Sequence, residues 1–123
     1  SFNYDPLTFS LIVPQTAHGF VVNNVLTLSS STYVLAQADI ADHANVVGIV
    51  ISVMDANHFV LFFGGYAQGL SGFTSGVVYF LSAATAGLLT ATPPSTPGQV
   101  LKPMFIADTT TSGFWLNYNG QQL

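Results

Sequence analysis

The stretch that decides the fold is residues 76–107, GVVYFLSAATAGLLTATPPSTPGQVLKPMFIA. An apolar run at 77–81 is followed by a second short run at 88–91, and a strand-like segment begins again at 99. Between them lies the crossing TPPSTPG, in which each proline fixes its own φ and pushes the preceding residue into extended geometry. The crossing is therefore predicted to be a stiff loop that joins two strands.

Short apolar runs continue outward from this stretch. Leu7, Phe9, Leu11 and Val13 alternate with other residues at period two, the spacing for one face of a strand. Residues 46–53 form a continuous, β-branched apolar run, which predicts a central strand buried on both faces.

Only one segment has a plausible helical turn, residues 38–45 (ADIADHAN), and eight residues make a marginal helix at best. About nine short strands separated by turn residues predict an all-β fold, either a compact antiparallel β-barrel or a β-sandwich. Residues 1–18 are expected to form an N-terminal arm, and residues 19–123 a single β domain.

Two hairpins in the chain follow the same pattern. When Gly48 is aligned with Pro103, apolar triplets coincide directly after them, and Phe59 and Phe114 each follow eleven residues later. Equal spacing of this kind indicates an internal repeat, although chance similarity between two hairpins of one all-β protein is the alternative.

Further upstream, residues 33–35 (YVL) correspond to 79–81 (YFL) in the same scheme. The chain is therefore interpreted as two related β units, 19–65 and 69–120, packed into one barrel or sandwich. Between them, the glycine-rich segment 64–72 is predicted to be a surface loop.

The composition is unusually apolar. Half of the residues are hydrophobic and 5% are charged, against about 25% charged in typical soluble proteins. Lys102 is the one cation, and the net charge is −4, which argues against nucleic acid as a partner. The longest apolar run, 46–54, is too short for a spanning helix, so membrane insertion is not expected. A chain of 123 residues cannot bury so much apolar surface alone, and we expect a homo-oligomer.

The string YFLSAATAGLLTATPPSTPGQVLKP at 79–103, with TAHGF at 16–20 and NVVGIV at 45–50, resembles a module of tailed-bacteriophage structural proteins, particularly tail fibres and host-attachment proteins. The likeness covers residues 16–120. It implies a virion protein exposed outside the cell, a homotrimer, contacts with other fibre or virion proteins, and a host receptor, for which glycan is preferred over protein. The N-terminal arm, residues 1–18, is then a possible link to the fibre shaft. The alternative is a purely structural module, a capsid decoration or fibre-assembly domain, with no host ligand.

Aromatic, amide and carboxylate side chains in loops are the usual groups that bind carbohydrate. The candidate ligand-binding residues are Tyr66 in the glycine-rich segment, Asp55, Asn57 and His58 at one hairpin tip, Asp108 with residues 109–112 at the equivalent tip, and Trp115. The competing interpretations are that the tip residues are turn formers and that Trp115 belongs to the core or a subunit interface.

Catalysis and metal binding are not expected. No serine stands in a Gly-x-Ser-x-Gly elbow, and Asp39 and Asp42 are better explained as residues that cap or solvate a turn than as a pair of glycosidase carboxylates. Asp42 and His43, with Asp39, are possible metal ligands, but a turn with a hydrogen-bonded His is the preferred interpretation. His18 is predicted to satisfy a loop backbone. No enzyme activity, no metal and no cofactor is therefore predicted.

Overall fold

The computed structural model describes residues 8–123, in which regular structure is almost entirely β-strand. Residues 1–7, and with them the predicted place of Leu7 in the first strand, lie outside the described part. In chain order the strands are β1 (Thr8–Pro14), β2 (Val25–Ser29), β3 (Thr32–Leu35), β4 (Val46–Asp55), β5 (His58–Ala67), β6 (Val78–Leu81), β7 (Leu89–Thr90), β8 (Val100–Leu101), β9 (Pro103–Ala107), β10 (Gly113–Trp115) and β11 (Gln121–Gln122).

Nine of these strands form one antiparallel sheet that curls into half a barrel. Eight follow the order β3-β2-β4-β5-β10-β9-β6-β7, while β8 and β11 make a separate two-stranded sheet. β1 and β4 both pair with residues 58–62 of β5, so they lie on its opposite edges. The all-β prediction is confirmed. Strand β5 is central to the sheet, because it pairs with β1, β4 and β10.

The predicted internal repeat is visible in the strand order. The sheet consists of two halves with equivalent strand orders, each read from its outer edge: β3-β2-β4-β5 and β7-β6-β9-β10. The two halves join in the middle, where β5 pairs antiparallel with β10. The match of hairpin β4–β5 with hairpin β9–β10 agrees with this order, but the residue-by-residue alignment is out of register. Phe59 pairs with the residue six positions before it, Val53, whereas the aligned Phe114 pairs with the residue eight positions before it, Ile106. The upstream match of residues 33–35 with 79–81 is wrong, because it equates β3 with β6, whereas the strand order makes β2 the equivalent of β6.

The core lies inside the curl and draws on both units. Ile49 and Phe62 from the first unit and Met104 and Phe105 from the second are fully buried in one cluster. Burying side chains of this size stabilises the fold by roughly 1.5–3 kcal/mol each. A smaller cluster, centred on Phe59, covers the outer side of the first hairpin.

Several sequence predictions need correction. The run 46–53 is not buried along its length, since burial ends after Val50 and the far half of β4 is exposed. The strand-like segment after the prolines is broken at Lys102, with β8 and β9 in different sheets. Tyr66 is not in a loop but in β5, whose pairing extends to Ala67. The predicted helical turn is the three-residue 3₁₀ element Ala41–His43.

The predicted N-terminal arm includes β1, which is hydrogen-bonded along β5 from Thr8 opposite Gly65 to Pro14 opposite His58. Of the alternating residues predicted to share one face, Val13 is buried, whereas Phe9 and Leu11 are exposed. In residues 8–123, no helix is long and apolar enough to span a membrane.

Candidate functional site

The fold separates the predicted site residues into two groups at opposite ends of β5. Asp55, Asn57 and His58 form the turn that opens β5, whereas Tyr66 lies near its far end, beside Asp108. Tyr66 follows His58 by eight residues, which corresponds to about 26 Å along a strand. The two hairpin tips are equivalent in the repeat, but β5 and β10 run antiparallel, so the tips point in opposite directions.

The β4–β5 turn uses its polar side chains to hold itself together. Oδ1 of Asp55 lies 2.9 Å from Nδ1 of His58 and accepts the N–H of Asn57 at 2.8 Å. These bonds, the one to His58 first, lower the pKa of Asp55 below its usual value. Oδ1 of Asn57 accepts the N–H of Ala17 at 2.9 Å. The protein itself thus engages one carboxylate oxygen of Asp55, one ring nitrogen of His58 and the side-chain oxygen of Asn57.

His18 joins a second loop to the same turn. Its Nδ1 accepts the N–H of Phe20 at 2.9 Å, which leaves Nε2 to donate to the carbonyl oxygen of Asp55 at 2.8 Å. The ring also packs edge-on against Phe59, with centroids 5.1 Å apart. His18 therefore satisfies loop backbone, as its sequence context predicts.

At the other end of β5, Tyr66, Asp108 and Ser112 form a closed hydrogen-bonded group. The Tyr66 hydroxyl donates to Oδ2 of Asp108 at 2.7 Å and lies 2.9 Å from Oγ of Ser112, while the Ser112 hydroxyl donates to Oδ1 of Asp108 at 2.7 Å. The bond from Tyr66, followed by that from Ser112, lowers the pKa of Asp108 below its usual value. The carboxylate is thus ionised near neutral pH and fixed in orientation.

Phe114 adds an exposed aromatic face to this group. It lies directly opposite Tyr66 in the β5–β10 pair, with ring centroids 5.1 Å apart, and its side chain is 50% exposed. Phe114 is not among the predicted site residues, and the repeat alignment equates it with Phe59, which is fully buried. The signal that identifies it is strand alternation: if Trp115 points into the core, its neighbour must point out.

Trp115 packs on the inner face of the sheet. Its ring meets the buried Phe62 edge-on, with centroids 6.5 Å apart, and it lies against the larger core cluster. The indole Nε1 is buried and has no hydrogen-bond partner in residues 8–123. The structure therefore favours the core interpretation of Trp115 over a ligand-binding one.

Asp39 and His43 form the hydrogen-bonded turn that the sequence predicts, with Oδ1 and Nδ1 2.8 Å apart. Across residues 8–123, no three or more His, Asp or Glu side chains come together as a metal ion would require.

We call Tyr66, Asp108, Ser112 and Phe114 the rim cluster. An exposed ring can stack on the apolar face of a sugar, and an oriented carboxylate can accept hydrogen bonds from adjacent hydroxyls. Asp108 is suited to that role because its pKa keeps it an acceptor at neutral pH. Of the predicted positions, the structure unites Tyr66 with Asp108 and Ser112, and it adds Phe114.

Comparison with known proteins gave no match: no family model, no curated protein and no solved structure is significantly similar to this chain.

Proposed function

We propose that this chain is a non-catalytic attachment module of a bacteriophage tail fibre or related virion protein, exposed outside the cell, which binds a host-surface glycan through the rim cluster. The single observation that carries the proposal is the pairing of the half-exposed Phe114 ring with the hydroxyl-fixed carboxylate of Asp108. The resemblance of residues 16–120 to tail-fibre modules supplies the viral context.

The rim cluster supports binding rather than bond cleavage. The Ser112 hydroxyl donates to Asp108, and in residues 8–123 the hydrogen bonds of these two side chains include no histidine that could take up the serine proton. A depressed pKa also makes Asp108 a poor general acid near neutral pH. The rim cluster is therefore best suited to binding, with the fixed Asp108 carboxylate as hydrogen-bond acceptor and the exposed Phe114 ring beside it.

A homotrimer is part of the proposal. Residues with exposed, large apolar side chains include Phe9, Leu11 and Ile12 of β1, a strand without a charged residue. Contact between copies would remove this apolar surface from water, which stabilises the assembly by roughly 25 cal/mol for each Å² buried. Threefold presentation would also raise the avidity of a weak sugar site through effective concentration.

A second candidate function is a purely structural virion module, a capsid decoration or fibre-assembly domain without a host ligand. The exposed, uncharged strand β1 favours this second function, because the unpaired backbone groups of an edge strand can hydrogen-bond to another protein chain.

Substitution at the rim cluster separates the two candidates. Tyr66→Ala and Phe114→Ala should leave assembly intact and lower host-cell adsorption and glycan-array binding by about tenfold or more, since each loses a stacking or orienting group. Tyr118→Ala, at an exposed tyrosine outside the cluster, serves as the control.

Asn57→Ala tests the opposite hairpin tip in the same assay. A loss of adsorption for Asn57→Ala without one for Tyr66→Ala would move the site to the β4–β5 turn. Unchanged adsorption in all variants, with tight attachment to a capsid or fibre shaft, would favour the structural module.

A further inference from the structure

Lys102, the one cation of the chain, is buried without a carboxylate partner in the described residues. Its side chain and backbone together are only 7% exposed. Its Nζ donates to the carbonyl oxygen of Tyr118 at 2.8 Å, and the ion pairs found in residues 8–123 do not include it. An ammonium group has three donors, so two of them lack a protein acceptor in this part of the chain.

A buried ammonium group in this state is costly. Burial lowers the pKa of Lys102 below its usual value, because the charged form is poorly solvated there. A buried charge is normally offset by an opposite charge and further hydrogen bonds. A side chain that only anchored Tyr118 would not need a charge, since a neutral donor could serve the same carbonyl.

Lys102 lines a cavity of about 340 Å³, within the range of roughly 300 to 1,000 Å³ that small-molecule sites occupy. The cavity lies between the 3₁₀ turn Ala41–His43 and the small β8–β11 sheet, and amide side chains of Asn45, Asn119 and Gln122 also line it. No Asp or Glu is among its lining residues in the described part of the chain.

We propose that this cavity binds an acidic sugar, with the carboxylate of a uronic-acid-type ring paired to Lys102 and its hydroxyls bonded to the amides of Asn45, Asn119 and Gln122. One ammonium group balances one negative charge, which matches a carboxylate better than a phosphate dianion. Amides offer both donors and acceptors, which suits hydroxyl groups. This site is separate from the rim cluster and does not depend on it.

The single lysine makes a direct test possible. Protein carrying lysine labelled with ¹³C at Cε alone gives one side-chain signal, that of Lys102, and D-galacturonate should shift it saturably and raise the pKa of Lys102, because the anion stabilises the ammonium form. Galactose, which has the same ring without the carboxylate, acetate and inorganic phosphate should each bind at least about tenfold more weakly.

Lys102→Met should lower galacturonate affinity by about tenfold or more, and it should fold, because a neutral side chain of similar length removes the buried charge. Asn119→Ala, at an exposed position on the cavity wall, provides an independent variant with weakened binding. Val21→Ala, at an exposed residue outside both sites, should leave galacturonate binding unchanged. The Lys102 signal reports on this cavity alone, so failure of the rim-cluster proposal is distinguishable from failure of this one.

Three results would overturn the proposal: no saturable shift with galacturonate, equal affinity for galactose, acetate or phosphate, or unaltered galacturonate affinity in both Lys102→Met and Asn119→Ala.

Discussion

Asp108 is an exposed carboxylate that two hydroxyl groups hold in place. One comes from Tyr66 on β5, and the other from Ser112 at the end of its own loop. Because both oxygens are engaged, the carboxylate does not rotate freely, and a ligand that bonds to it loses less conformational entropy on binding. Phe114, opposite Tyr66, places an apolar surface beside this fixed charge. A few side chains from two strands and one loop thus create the chemistry of the rim cluster.

Removing the Tyr66 hydroxyl tests this arrangement. Tyr66→Phe should raise the pKa of Asp108 toward its usual value of 3.8, because the largest contribution to the lowered pKa is the Tyr66 hydrogen bond. A lowered carboxylate pKa adds stability that is present above pH 3.8 and is lost as the pH falls through the folded-state pKa. The variant should therefore be less stable than the parent chain above pH 3.8, and this difference in stability should disappear at lower pH.

Carboxyl ¹³C NMR titration measures this pKa. Asp55 provides the internal control, since its partners His58 and Asn57 lie at the other end of β5 and its pKa should not change. An unaltered pKa of Asp108 would mean that the Tyr66 bond is not maintained in solution.

Among the strands, β4 shows how burial can change within one apolar run. Gly48, Ile49 and Val50 are buried in succession, whereas Val53 and Met54 are 39% and 56% exposed. The buried half runs between β2 and β5, and its backbone hydrogen bonds on the β2 side end at Val50, which bonds to Asn23 and Asn24. Beyond that point the strand has β5 as its neighbour and continues into the turn. Hydrophobicity along the strand is nearly uniform, so its position in the sheet decides which residues form the core.

Two aspartate substitutions on β4 should separate these environments. Val50→Asp should lower the free energy of unfolding by roughly 3–5 kcal/mol, because it buries an unpaired carboxylate, and total stability of a domain is only about 5–15 kcal/mol. Val53→Asp, on the same strand and partly exposed, should cost less than about 1 kcal/mol. Urea denaturation of both variants measures the difference, and equal losses would contradict the burial described for β4.

On the scale of the whole molecule, the accessible surface area of the chain is ordinary, but many of its exposed side chains are apolar. Its accessible surface of 6630 Å² is close to the roughly 6,300 Å² expected for a monomer of 13.0 kDa. Many large apolar side chains nevertheless lie outside, and β1 carries several of them along a strand whose pairing in residues 8–123 is with β5 alone. Association is therefore expected because the exposed side chains are apolar, and not because the accessible surface area is large.

A lysine on β1 should weaken association. We expect light scattering at several dilutions to give three times 13.0 kDa for the parent chain, and a lower mass for Ile12→Lys, since a charge on an open edge strand opposes pairing with another chain. Val21→Lys is the control, because Val21 is 61% exposed but lies in no strand. A parent chain that stays monomeric at micromolar concentration would remove the trimer from the proposal.

The local elements of the fold could be read directly from the sequence. Turn chemistry at Asp55, Ala56 and Asn57 predicts the β4–β5 hairpin, and the equal spacing after Gly48 and Pro103 predicts its repeat in β9 and β10. Both are properties of residues close together in the chain. The upstream match failed because YVL and YFL are too short and too common to identify equivalent strands.

The sequence by itself determined the all-β class, the paired hairpins and the surplus of apolar side chains, because alternation, turn residues and composition are fixed before folding. Only the tertiary structure decided which side chains meet. Tyr66 and Asp108 are 42 residues apart and are joined because β10 lies beside β5. Because β5 and β10 are antiparallel, the two hairpin tips point in opposite directions. Lys102 is buried at the point where the chain passes from β8 to β9, which lie in different sheets. Such contacts depend on how strands pack across the sheet, which spacing along the chain does not specify.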